Sequence, residues 1–212
     1  MNIAIIGAGN VGTTVGASWS RAGHTVAYGV RAPEDDKYAA LADHAAVMAV
    51  ADAVATAGVV VLAVPWRAAE ATLLDLGEAL DGKVLIDATN PIKTDFSGLI
   101  MGHNDSGGEQ VARWAPRARV VKALNSAFTN VMADPLFPGG RSVMLVAGDA
   151  PEARKLVAGL CEDLGFTAQE LGGIEDSRMI EAFGWTLINL AMKYGLGNQI
   201  GFALLRRSGS TP

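Results

Sequence analysis

A short apolar run, Met1 to Ile6, passes directly into Gly7-Ala8-Gly9-Asn10-Val11-Gly12, and few local structures accommodate both segments. The run reads as a strand, the glycines as a tight turn, and the residues beyond them as the start of a helix. Each glycine has its own reason. Gly7 lets the chain turn, Gly9 removes a Cβ that would hold a pyrophosphate off the backbone, and Gly12 lets the helix lie close on its strand. The first N–H groups of a helix lack intrahelical partners and carry partial positive charge, so the turn makes a phosphate site without a basic side chain. Glycine-rich turns also arise for geometric reasons alone. Here the amphipathic run Val15 to Ala22 comes next, Gly23-His24 closes it, and the apolar Thr25 to Tyr28 succeeds it, which is the context of a dinucleotide-binding β-α-β unit.

The same alternation continues. Strands are expected near Thr25–Gly29, Ala46–Ala49, Gly58–Val64, Lys83–Asp87 and Arg119–Leu124, with Ser142–Ala147 and Thr167–Leu171 extending the sheet. Gly58 to Val64 is apolar throughout, as a strand covered on both faces must be. Helices are expected around Asp36–Ala42, over Val50–Ala57, Arg67–Leu80, Gln110–Trp114 and Ala150–Leu164, and from Ile174 to Arg207 with breaks at Gly184, Gly195 and Gly197. The pattern predicts an α/β, Rossmann-type, doubly wound and mostly parallel sheet with extra strands and a C-terminal helical segment. Residues 1–171 form the nucleotide-binding domain, and residues 172–212 complete the acceptor site within the same compact unit. The tail from Ser208 to Pro212 is expected to be disordered.

At 212 residues and 50% hydrophobic, the chain can bury a sizeable core. A net charge of −5 with scattered basic residues argues against nucleic acid as a partner. The single cysteine, Cys161, lies among apolar helical positions and reads as core filler in a cytoplasmic protein. Met1 enters a strand at once, so no signal peptide is expected. The apolar stretch Trp185 to Leu205 contains Gly197 and Gly201 at membrane-dimer spacing, but Asn189, Lys193, Asn198 and Gln199 interrupt it; it reads as buried helix, not membrane span. Its apolar character suggests a homodimer. Ser106-Gly107-Gly108-Glu109 fits a capping box, with a second anion site as the alternative.

In parallel sheets ligands bind beyond the carboxyl ends of the strands, which brings Pro65-Trp66, Thr89-Asn90-Pro91 and Asn125-Ser126 to the same crevice as the glycines. The position about twenty residues past the glycines, where NAD enzymes carry an acid for the ribose 2′-hydroxyl, holds Arg31, with no acid before Glu34. A guanidinium can grip a 2′-phosphate that a carboxylate would repel, so NADP(H) is expected over NAD. The long polar loop Ile92–Gly107 has the length of functional loops, and His103 within it is a candidate acid. His24, His44 and His103 share no metal-ligand spacing, and no metal is expected. No Tyr-x-x-x-Lys pair, G-x-S-x-G elbow or P-loop is present. Hydride transfer to an acceptor that is its own electron sink needs little more than stacking and exclusion of water.

The motifs G-A-G-N-V-G, G-V-R at Arg31, L-A-V-P-W ending at Trp66, D-A-T-N-P ending at Pro91 and V-V-K-A-L-N ending at Asn125 together resemble those of NADPH-dependent coenzyme F420 reductases and the wider set of bacterial NADP oxidoreductases. More distantly they resemble the oxidoreductase domain of the STEAP metalloreductases. The resemblance implies that Gly7, Ala8, Gly9, Asn10, Val11 and Gly12 hold the pyrophosphate and Arg31 the 2′-phosphate. Val64, Pro65 and Trp66 would lie beside the cofactor, and Asn90 and Pro91 near the nicotinamide. It also implies a flavin or deazaflavin co-substrate, in a pocket of Asn125, Ser126 and Phe128 with Ser177 and Arg178 opposite. The chain departs from the archaeal members at Asn125, where they carry histidine, and at Gly172-Gly173-Ile174, where they carry Gly-Pro-Leu. No catalytic acid or base is assigned. The expected function is hydride transfer between NADP(H) and a flavin or deazaflavin. The alternatives are reduction of a small imine or carbonyl, and a non-catalytic NADP sensor.

Overall fold

The computed structural model describes residues 1–207; the expectation for the tail from Ser208 onward lies outside them. The chain runs β1 (Asn2–Ile6), α1 (Asn10–Arg21), β2 (Thr25–Val30), β3 (Ala46–Ala49), α2 (Val50–Ala55), β4 (Val59–Leu62), α3 (Trp66–Leu76), β5 (Val84–Asp87), α4 (Gly107–Trp114) and β6 (Arg119–Lys122). These six strands form one parallel sheet in the order 3-2-1-4-5-6. Connections run opposite ways from β1 and β4, and the crevice between them is where such sheets bind ligands.

Alternation along the strands builds two cores. Ile3, Ile5, Val59, Val61 and Ile86 face one layer, and Ala4, Ile6, Val60, Leu62 and Leu85 face the other. With period 2, neighbouring side chains take opposite faces, so only strands apolar at every position can lie between two helical layers. On the first face Val15 and Trp19 of α1 pack, and the Trp19 indole N–H, fully buried, donates to the Leu160 carbonyl at 2.9 Å. The Tyr28 hydroxyl on the same face has its pKa pushed up to about 12 by burial.

After β6 come α5 (Thr129–Ala133), a β7–β8 hairpin (Leu136–Phe137, Gly140–Arg141), β9 (Val143–Val146), α6 (Pro151–Asp163), β10 (Thr167–Glu170) and α7 (Ser177–Met192). Neither α5 nor the hairpin was expected from sequence. β9 and β10 pair parallel with each other and not in a continuous ladder with the main sheet. They meet it at one antiparallel bridge, Lys122 to Ala147. That bridge is antiparallel, so β9 lies beside the end of β6 without continuing the parallel ladder. Cys161 lies in α6, fully buried, and burial pushes its thiol up to about 12.

Several expectations about helices change. The Asp36–Leu41 and Gly77–Leu80 stretches are short 3-10 turns. The C-terminal helix stops at Met192 instead of reaching Arg207. Gly195 and Gly197 adopt left-handed backbone, at φ 73° and 72°, and the Leu196 and Gly197 N–H groups close on the Leu190 and Ala191 carbonyls. Glycine takes that conformation freely and ends helices for that reason. Gly184 does not break the helix. A Cβ there would sit 2.8 Å from the Asn125 carbonyl oxygen, so this glycine permits close packing. Residues 193–207 form an arm whose Phe202 stacks on Phe183 at 4.5 Å and accepts from the Val143 N–H. Among the described residues no helix is long and apolar enough to cross a membrane.

Candidate functional site

The nucleotide half of the site is set by backbone. Gly7 has φ +103°, and a Cβ there would lie 2.6 Å from the Ala63 carbonyl oxygen on the adjacent strand. A Cβ on Gly12 would lie 2.2 Å from the Gly7 carbonyl oxygen. At Gly9 nothing lies within 4 Å. Two glycines are therefore required by the turn itself, and the third leaves open space in front of α1. Gly9 is the N-cap and supplies no side-chain hydrogen bond, and the first turn of α1 contains no acid. Asn10, Val11 and Gly12 thus offer helix-terminal N–H groups to an external anion.

A cleft of about 760 Å³ opens beside this turn. Of the residues expected at the cofactor, Gly7, Ala8, Gly9, Arg31, Val64 and Pro65 line it. Tyr38, Arg67 and the small side chains Ala68 and Ala71 also line it, and sequence reasoning singled out none of these four for the cofactor. Trp66 turns away, its ring 5.3 Å from that of Trp114.

Asn90 and Asn125 lie on each other at the ends of β5 and β6. The Asn90 side-chain amide donates to the Asn125 carbonyl at 2.9 Å, and the Asn125 amide donates to Asn90 Oδ1 at 3.0 Å. Leu124, fully buried, is held at φ +63° immediately before Asn125. For a residue with a Cβ this costs on the order of 1 kcal/mol or more and persists only where surrounding contacts enforce it. Asn125 Oδ1 is buried without a partner. The neighbouring Ser126 is buried, its Oγ 3.5 Å from Met144 Sδ. Phe128 is the N-cap residue of α5.

The other acceptor candidates belong to a different cluster. Ser177, buried, lies against Gly108, and its Oγ has no partner. Arg178 donates from Nε and Nη2 to the two Glu109 carboxylate oxygens at 2.9 and 2.6 Å. That bond holds the Glu109 carboxyl below the usual range, with Ser106 assisting against burial. Ser106 caps α4, accepting from the Glu109 N–H and donating to its carboxylate, but the expected capping box is not complete, because the Ser106 N–H donates to Asp105 Oδ1 instead of to Glu109. The anion at this helix N-terminus is the chain's own Glu181, which accepts from Gly107 and Gly108 N–H at 2.9 and 3.0 Å. His103 is exposed, at φ +59°, with its ring on Asn104.

A buried ionic cluster, which sequence reasoning missed, joins these parts. Lys122 Nζ lies 2.9 Å from Asp87 Oδ2, 2.9 Å from Glu181 Oε1 and 2.7 Å from the Thr89 carbonyl, and the three charged side chains are at most 1% exposed. Burial works against the Lys122 charge, but the two carboxylates outweigh it and raise its pKa. The excess negative charge faces the N-terminus of α4, which favours it. Asp87 Oδ1 also accepts from the Thr89 N–H and hydroxyl, fixing the start of the Thr89-Asn90-Pro91 turn. The signal was present: Asp87 and Lys122 each end an apolar strand in matching register, and Glu181 is the only acid in α7. Among the described residues no group of His, Cys, Asp and Glu is arranged to hold a metal.

Comparison with known proteins agrees with this geometry. Residues 2–91 match the family model for coenzyme F420-dependent NADP oxidoreductases. The F420-dependent NADP reductase of Methanothermobacter thermautotrophicus is 37% identical over 155 residues, 69% of this chain and 66% of that protein. A crystal structure of a candidate F420-dependent NADP reductase from Arthrobacter sp. FB24 superposes with TM-score 0.88 at 32% identity, covering 97% of this chain and all of that one.

The chain belongs to the F420-dependent NADP oxidoreductase family.

The aligned part spans 66% and 69% of the length of two archaeal reductases of the family. The metalloreductase STEAP3 of Rattus norvegicus is a more distant relative, 26% identical over 88% of this chain and 37% of that protein. The family is one of NADP-dependent oxidoreductases, and its fold is the one described above.

Proposed function

We propose that this chain binds NADP(H) in the cleft beside Gly7–Gly12 and transfers hydride between the nicotinamide and a flavin or deazaflavin of the coenzyme F420 type. One observation carries the nucleotide part: an open glycine at an uncapped helix N-terminus shares its cleft with Arg31, a guanidinium that has no partner among the described residues. The space at Gly9 and the first-turn N–H groups suit a diphosphate, and Arg31 suits the additional 2′-phosphate. Asn10, Val11 and Gly12 would hold the diphosphate from the helix end, while Val64 and Pro65 form the opposite wall.

When bound, the nicotinamide supplies the hydride. The chain's residues have to orient it and keep water out. The Asn90–Asn125 pair, backed by Gly184 of α7 and fixed through Asp87 and Lys122, is the rigid polar surface on the nicotinamide side. Ser126 and Phe128 extend that surface toward the acceptor. Ser177 and Arg178 contribute by fixing α7 on α4, so that helix serves as the second wall. No covalent intermediate is invoked. Relatives named F420-dependent NADP reductases support the deazaflavin as acceptor.

Anaerobic mixing of the chain with NADPH and, separately, coenzyme F420, FMN and FAD tests this reading. Reduction of at least one is expected; reduction of none contradicts it. Arg31→Ala should weaken NADPH binding about ten- to a hundredfold and leave NADH nearly unchanged, because charged hydrogen bonds are worth about 1.5–3 kcal/mol. An unaltered NADPH/NADH preference would show that Arg31 does not read the 2′-phosphate. Exposed Met192, Tyr194 and Leu196 support a homodimer, for which sedimentation of a monomer would be the contrary result. The buried free thiol suits a cytoplasmic location.

A further inference from the structure

Arginines in this structure are almost all engaged. Arg113, Arg117 and Arg178 sit on carboxylates, and Arg119, Arg141 and Arg154 reach backbone carbonyls. Of the arginines among the described residues, only Arg31 and Arg67 have no hydrogen-bond, ionic or ring partner, and both line the same cleft. They approach it from opposite walls, Arg31 from the end of β2 and Arg67 from the first turn of α3.

The surrounding charge adds to this. Neither α1 nor α3 has an acid in its first turn or a side-chain cap, so both helix N-termini add positive potential near these guanidiniums. The one carboxylate lining the cleft, Asp75, lies eight positions beyond Arg67 on the same helix, roughly 12 Å along its axis at about 1.5 Å per residue. The Arg67 end is therefore uncompensated. NADP(H) carries two separate anionic groups, a diphosphate and a 2′-phosphate, while the proposed function gives only one of them a basic side chain.

We propose that Arg67 is a second phosphate-binding residue, reaching from α3 to a phosphate of bound NADP(H). This rests on the cleft being the NADP(H) site. Its side chain is exposed and unpartnered, so Arg67→Ala should fold as the parent does, which a thermal melt checks. The measurement is calorimetric titration of the parent, Arg67→Ala and Arg67→Lys with NADPH and NADH. Arg67→Ala should bind NADPH at least about tenfold more weakly and with a smaller salt dependence, and Arg67→Lys should recover part of the loss. An equal loss for NADPH and NADH assigns Arg67 to the diphosphate; a loss confined to NADPH assigns it to the 2′-phosphate. Unchanged NADPH affinity in a folded Arg67→Ala overturns the inference while leaving the proposed function standing. Failure of the parent to bind NADPH overturns both.

Discussion

At the scale of single residues, the three glycines of the opening turn have three different physical roles, and two of them separate experimentally. Gly9 has extended backbone, at φ −84° and ψ −174°, which any residue adopts, and open space where a Cβ would go. Gly9→Ala should therefore leave the melting temperature unchanged and weaken NADPH by about tenfold or more, since the added methyl group stands where the diphosphate approaches. Gly12→Ala should destabilise the fold by about 1–3 kcal/mol, because its Cβ would meet backbone that cannot yield. Equal stability loss in both would mean that Gly9 is structural as well. The tight turn at Gly7 and the close approach at Gly12 were legible in the sequence because the motif's spacing encodes them. The place of Arg31 on the cleft was legible from its position; that of Arg67 was not, since nothing in P-W-R-A-A reveals which wall of a cleft its helix forms. The strained Leu124 likewise carries no sequence signal, being a leucine where left-handed backbone favours glycine.

At the scale of elements, the parallel strands were legible because burial on both faces leaves unbroken runs of Val, Ile and Leu. Strand direction was not, and β9 shows why: an apolar run does not say whether it continues a ladder or returns beside it. The Asp87–Lys122–Glu181 cluster ties β5, β6 and α7 together and is the least replaceable part of the site's support. Lys122→Met should cost about 3–5 kcal/mol, because it leaves two buried carboxylates without their cation. The raised Lys122 pKa gives a sign as well. Its contribution is complete below the ordinary lysine value and is lost as pH rises through the higher folded value. Alkaline denaturation of the parent should therefore steepen above the lysine range, and Lys122→Met should lack that limb. Denaturant melts against pH measure both; a variant as stable as the parent would remove the cluster's supporting role.

At the scale of the whole molecule, the chain is a parallel sheet with its own last helix fixed on it, and on the proposed function that helix walls the acceptor side. The sheet order places the glycine turn and Arg31 at the point where connections diverge, and α7 packs over the ends of β5 and β6 through Gly184 and Glu181. That division explains what the sequence conveys. The nucleotide half rests on local motifs within about ninety residues, the stretch the family model matches at residues 2–91. The acceptor half as proposed would be assembled from Asn90, Asn125 and α7, segments far apart in sequence whose meeting only the fold reveals. The most direct test tracks the hydride itself: the chain is mixed anaerobically with coenzyme F420 and NADPH carrying deuterium on its hydride carbon, and the reduced deazaflavin is analysed for label. Transfer of the deuterium to the deazaflavin is the predicted result. No reduction of coenzyme F420 or of FMN and FAD run in parallel, or reduced deazaflavin without the label, would contradict the account.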